Sequence, residues 1–71
     1  MAAPEALEQF EAAVRIRPED AEAHNNLGGV LAKLGRFPEA TEEFKKALQL
    51  DPDLASAHYN LATLQAQQKA P

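Results

Sequence analysis

The sequence predicts an all-α fold of four helices, folded as antiparallel hairpins and stacked as repeats. Three observations predict it. First, the chain repeats with a period of 34 residues: Ala6, Phe10, Ala13 and Pro18 recur as Ala40, Phe44, Ala47 and Pro52, and Ala21, Ala23, His24, Asn26 and Leu27 recur as Ala55, Ala57, His58, Asn60 and Leu61. A fixed period of this length marks stacked units, none of which buries its apolar face alone. Second, Ala, Leu, Glu, Gln and Lys dominate, and no β-branched run is long enough for a strand. Third, prolines and a glycine break the pattern at intervals, leaving connections of about three to five residues, which fold each helix back on the one before.

The first helix is expected over 4–17. Pro4 suits a first turn, Glu5 complements the positive end of the helix dipole, and Pro18 stops the helix. Its apolar residues Ala6, Leu7, Phe10, Ala13, Val14 and Ile16 fall mostly on one face. The second helix, 21–34, starts at Asp20 or Glu19, whose carboxylate can accept from the free N–H groups of a helix start. Leu27, Val30, Leu31 and Leu34 form its stripe, and Gly35 ends it in a left-handed conformation. Pro38 opens the third helix, 38–50, with Ala40, Phe44, Ala47, Leu48 and Leu50 facing inward. Pro52 closes it, and Asp53 is expected to cap the fourth, 54–68.

Seventy-one residues form one small domain, 1–71. At 45% hydrophobic and 25% charged residues the chain reads as globular rather than disordered. A net charge of −4 disfavours nucleic acid and anionic membranes, both of which call for clustered Lys and Arg. With no cysteine there is no disulfide frame, thiolate metal site or thiol nucleophile. No apolar run approaches the roughly 20 residues of a membrane span, and the N-terminus lacks a signal-peptide profile. The default localisation is cytoplasmic, whether the chain is whole or a piece of a longer protein.

Leu27-Gly28, then Leu31, Ala40, Phe44 and Pro52, resemble the tetratricopeptide (TPR) repeat, whose pattern runs W-x2-L-G-x2-Y, A-x3-F and P. Residues 21–54 resemble one full repeat. Residues 4–20 resemble the second helix of a preceding repeat, and 55–68 the first helix of a following one. The resemblance implies a right-handed solenoid fragment whose first helices line a concave groove. Three departures stand out. His24 and His58 occupy the place of the usual Trp, Leu31 and Gln65 that of the usual Tyr, and the helix order is shifted by half a repeat.

The resemblance implies a peptide- or partner-binding surface formed by Asn25, Asn26, Gly29, Lys33, Tyr59, Asn60, Thr63 and Gln67. Asn26 and Asn60, one repeat apart, would form a short ladder. An Asn amide both donates to and accepts from an extended backbone, which holds a chain with little regard to its sequence. A structural role for these Asn residues, bonding to a neighbouring helix, is the equal alternative. Some relatives clamp a C-terminal carboxylate with several Lys or Arg residues; here Lys33 is the single cation expected on the groove, which argues against that specialisation.

No catalytic, metal or cofactor site is expected. Two imidazoles without a carboxylate or thiolate shell make a weak zinc site, so His24 and His58 are expected as partly buried packing rings. Gly28-Gly29 with Lys33 lies inside a helix at the wrong spacing for a phosphate loop. Gly28 is expected to serve packing, whereas Gly29 faces the groove at a cost of up to about 1 kcal/mol in helix stability. Glu5, Glu8, Glu11, Glu39, Glu42 and Glu43 read as a solvated charged face.

The first reading is therefore a non-enzymatic interaction module with a peptide or protein partner. The alternative is self-association: Ala6, Leu7, Phe10 and Ala13 of the first helix lack a preceding helix to cover them, so complementary half-repeats could pair as a dimer, which the polar end of the fourth helix favours over a fibre. A third reading is a docking segment of an enzyme whose chemistry lies elsewhere.

Overall fold

The computed structural model describes residues 2–69; Met1, Ala70 and Pro71, the ends of the predicted domain, lie outside it. It contains four helices: α1 (Ala2–Ile16), α2 (Ala21–Lys33), α3 (Phe37–Leu50) and α4 (Ala55–Lys69). These match the expected helices to within two residues at each end.

Each boundary has a local cause. Asp20 caps α2, its carboxylate accepting from the N–H groups of Glu22 (3.0 Å) and Ala23 (3.4 Å). At the other end Gly35 has φ +80, the left-handed conformation that closes a helix at low steric cost. The Gly35 N–H donates to the Ala32 carbonyl and the Arg36 N–H to the Leu31 carbonyl, so two free carbonyls of the last turns are satisfied. Pro38 lies in the first turn of α3. The fourth helix begins differently from expectation. The Asp51 carboxylate, not that of Asp53, organises this corner by accepting the Asp53 N–H at 3.1 Å, and the Leu54 carbonyl takes the first helical bond, from the His58 N–H. Leu54 stands one period after Asp20, so α4 starts without the acidic cap that α2 has.

The molecule is a slab with extents of 38 × 33 × 15 Å. At that thickness the core is a single row of side chains rather than a deep interior. Leu27 and Leu31 from α2, Ala40 and Phe44 from α3 and Leu64 from α4 form it, flanked by Leu7, Phe10 and Val14 of α1 and by Ala32, Phe37 and Leu61. Helix α2 is central: it packs on α1 and most extensively on α3, and it meets α4 more lightly across a groove. Phe44 is 1% exposed, and the absence of a side chain at Gly28 makes room for it. A Cβ built at Gly28 would lie 2.6 Å from Phe44 Cε1 and 2.7 Å from Cδ1.

Several inward placements are corrected. Ile16 (76% exposed) and Leu50 (43%) occupy the same place one period apart, in the final turns of α1 and α3, and both face solvent there; Leu34, after the last turn of α2, is exposed as well. In the first helix Ala6, Leu7, Phe10 and Ala13 are half-buried, and Leu7 and Phe10 pack on the core, so the expected apolar strip is partly covered by α1's own contact with α2.

Candidate functional site: the groove between two helices

Helices α2 and α4 stand one period apart and diverge, leaving a groove of about 290 Å³ lined by Gly29, Ala32 and Lys33 of α2, Phe44 of α3, and Asn60, Thr63, Leu64 and Gln67 of α4. The half-buried Ala32 supplies accessible apolar surface, while Phe44 and Leu64, 1% and 2% exposed, close the groove from beneath. Lys33, Asn60, Thr63 and Gln67 supply polar groups, so hydrogen-bonding edges flank a narrow apolar floor. None of the chain's 11 acidic residues lines it, and Lys33 is its one cation.

Of the eight residues expected on the concave surface, Gly29, Lys33, Asn60, Thr63 and Gln67 line this groove. The other three do not. Tyr59 is 72% exposed, and Asn26 is exposed, with Asn60 bonded to Asn25 instead. Asn25 is buried and bonds across the two helices. Its Nδ2 donates to Ser56 Oγ at 2.9 Å, and its Oδ1 accepts from Asn60 Nδ2 at 3.1 Å. The pair that joins α2 to α4 is thus Asn25–Asn60, one residue off the repeat period. This relay fixes the Asn60 amide at the groove edge while leaving its Oδ1 unused by those bonds. Sequence reasoning did not place Ala32, Phe44 or Leu64 on the groove, nor Ser56 behind Asn25.

The histidines divide. His24 is buried, Nε2–H donating to the Pro18 carbonyl at 2.8 Å, with Nδ1 2.8 Å from Glu43 Oε1. Nε2 carries the hydrogen of the first bond, because a carbonyl oxygen only accepts. His58 repeats the first bond, to the Pro52 carbonyl at 2.7 Å, but is exposed rather than partly buried. Among the described residues no carboxylate bonds to its ring. Glu43 is therefore not part of the solvated acidic face: its side chain is 14% exposed, held by His24, with Lys46 Nζ 3.6 Å away. Nor is His24 without a carboxylate neighbour, as the sequence reading had it. Even so, no group of three His, Cys, Asp or Glu residues able to hold a metal occurs among the described residues.

At the start of α3, Arg36 and Glu39 form a two-pronged ion pair, both bonds at 2.7 Å. The hydrogen bond to Glu39 holds the Arg36 guanidinium above its usual range, and the same bond holds the Glu39 carboxyl below its own. No helix among the described residues is long and apolar enough to cross a membrane.

A family profile described as TPR repeat matches residues 3–35 and again residues 30–69. Among solved structures, the TPR2B domain of yeast Sti1 in complex with pHsp70 is similar, with a TM-score of 0.91 and 35% sequence identity; the match covers 96% of this chain. The chain spans about half of that structure's chain, 54% of its length. No curated protein matches the sequence.

Proposed function

This chain belongs to the TPR-repeat family, and from that premise we propose that it is a non-enzymatic interaction module that holds an extended protein segment between α2 and α4. One observation carries the reading. Asn60 is held at the groove edge by Asn25, itself anchored to Ser56, with its own carbonyl oxygen left over. A pre-oriented amide of this kind can receive a backbone N–H from an extended chain without losing side-chain freedom on binding. The likeness to a domain seen with pHsp70 supports a protein or peptide as the partner. With Lys33 as the single cation on the groove, a clamp of several basic residues on a terminal carboxylate is not the proposed mode.

Self-association through Ala6, Leu7, Phe10 and Ala13 is the rival, and α4 opposes it in its head-to-tail form. A second copy's α1 would bring Phe10 to α4 as Phe44 comes to α2. There Ala62 stands in place of Gly28, where a Cβ meets the phenyl ring at 2.6 Å, and Gln65 stands in place of Leu31.

The test selects binders from a random dodecapeptide library and maps each by amide chemical-shift changes. The expected result is shifts centred on Gly29, Lys33, Asn60 and Thr63, with affinity falling about five- to tenfold in Asn60→Ala, the worth of roughly one hydrogen bond. Binders that map to α1 and α3 and ignore Asn60→Ala would sink the proposal.

A further inference from the structure

The two adjacent glycines of α2 pose different questions. Gly28 is accounted for by the Phe44 ring. Gly29 is not: a Cβ built on it meets nothing within 4 Å, and its φ is not positive. A glycine in mid-helix weakens the helix relative to alanine, so neither packing, nor a turn, nor backbone conformation explains this one. What remains is its place on the groove, whose lining it shares with Ala32 and with the almost wholly buried Phe44 and Leu64. The absent side chain holds open a space that the folded chain itself does not use.

We infer that Gly29 is a specificity-determining residue: its missing Cβ admits a large branched or aromatic side chain of the bound segment, and any side chain at 29 narrows the groove against it. The inference rests on the groove reading above and deepens it by naming what the groove selects. The occupant is an extended segment with an acidic residue beside that large side chain, because the groove presents Lys33 and no carboxylate. Nothing about this selection calls for a conformational change, since the space exists in the free protein.

The probes are three end-capped decapeptides of Gly, Ser and Glu that differ only at one central residue, which is Ala, Leu or Phe. Each is titrated into the labelled parent, Gly29→Ala and Asn60→Ala proteins, with thermal midpoints measured alongside. In the parent, the Leu or Phe peptide is expected to bind at least about tenfold tighter than the Ala peptide, the scale on which one buried large side chain discriminates. Gly29→Ala is expected to raise the thermal midpoint by roughly 4 °C and to abolish most of that preference. A folded, more stable Gly29→Ala protein that keeps the parent's preference overturns the inference, as does a parent that fails to distinguish the three peptides. If instead Gly29→Ala loses the preference while Asn60→Ala binds normally, selection by Gly29 stands and the amide-anchoring proposal falls.

Discussion

Replacing Gly28 by alanine isolates the packing of α2 on α3 better than any truncation of the core, because the adjacent Gly29 provides its own control. The new Cβ would lie 2.6, 2.7 and 3.1 Å from Phe44 Cε1, Cδ1 and Cζ. Carbon atoms rest at about 3.5–4.0 Å, so the ring must retreat by roughly 1 Å. It is 1% exposed, with Leu27, Leu31, Ala40 and Leu64 in the same cluster, so that retreat moves α3 away from α2 rather than swinging a free side chain. Overpacking of this kind costs about 1–3 kcal/mol, against which alanine returns about 0.5–1 kcal/mol of helix propensity. A net loss on the order of 1–2 kcal/mol is expected. Gly29→Ala gains the same propensity with no steric term, so it is expected to stabilise by about 0.5–1 kcal/mol. Propensity cancels between the two variants, and their separation reads the packing term directly. Urea unfolding followed by far-UV circular dichroism measures both, with unchanged slopes confirming that the unfolded reference is the same. Equal stability of Gly28→Ala and Gly29→Ala would refute the close-approach argument. A further check is Phe44→Leu, which should remove most of the penalty of Gly28→Ala in a double-mutant cycle.

His24→Ala leaves Glu43 half-buried without its 2.8 Å partner and is expected to cost about 1–3 kcal/mol, whereas His58→Ala removes one exposed bond and should cost about 0.5–1 kcal/mol; indistinguishable urea midpoints for the two would show that the buried pair contributes nothing extra. The Arg36–Glu39 pair sets a small pH dependence. The Glu39 carboxyl titrates lower in the folded chain than in the unfolded one, so its stabilisation is fully present above the ordinary carboxylate pKa and is lost as pH falls through the lowered value. Acidification should therefore lower the thermal midpoint more in the parent than in Glu39→Gln, with the difference shrinking in high salt because the pair is exposed; parallel curves for the two proteins would contradict this.

The helices were legible because their signals are local or strictly periodic. Asp20, Gly35, Pro18 and Pro52 each act on the backbone next to them, and Phe44 with Ala40 and Ala47 announces itself by recurrence. The groove was legible only to within a residue. Neighbours on a helix point about 100° apart, so the period that pairs Asn26 with Asn60 cannot tell which of Asn25 and Asn26 faces α4. In the structure it is Asn25. Leu64 escaped notice because α4 shows no clear apolar stripe; the period was no guide, since its counterpart Val30, expected on the stripe of α2, is only half-buried. Glu43 sits beside Glu42 in a run that reads as surface charge; the partner that buries it lies 19 residues away and becomes its neighbour only once α2 and α3 pack.

The recurring bond from His Nε2 to a proline carbonyl six residues earlier has a geometric consequence for the whole array. Each bond ties the first turn of a helix to the corner that precedes it. A large apolar ring there would hold that corner by bulk, and bulk tolerates sliding. A directional strut of 2.7–2.8 Å tolerates little. The α1–α2 corner and the α3–α4 corner are thus each braced by the same short link. Geometry accumulates unit by unit in a stacked array, so a link repeated at two corners one period apart gives both the same fixed spacing between helix and corner.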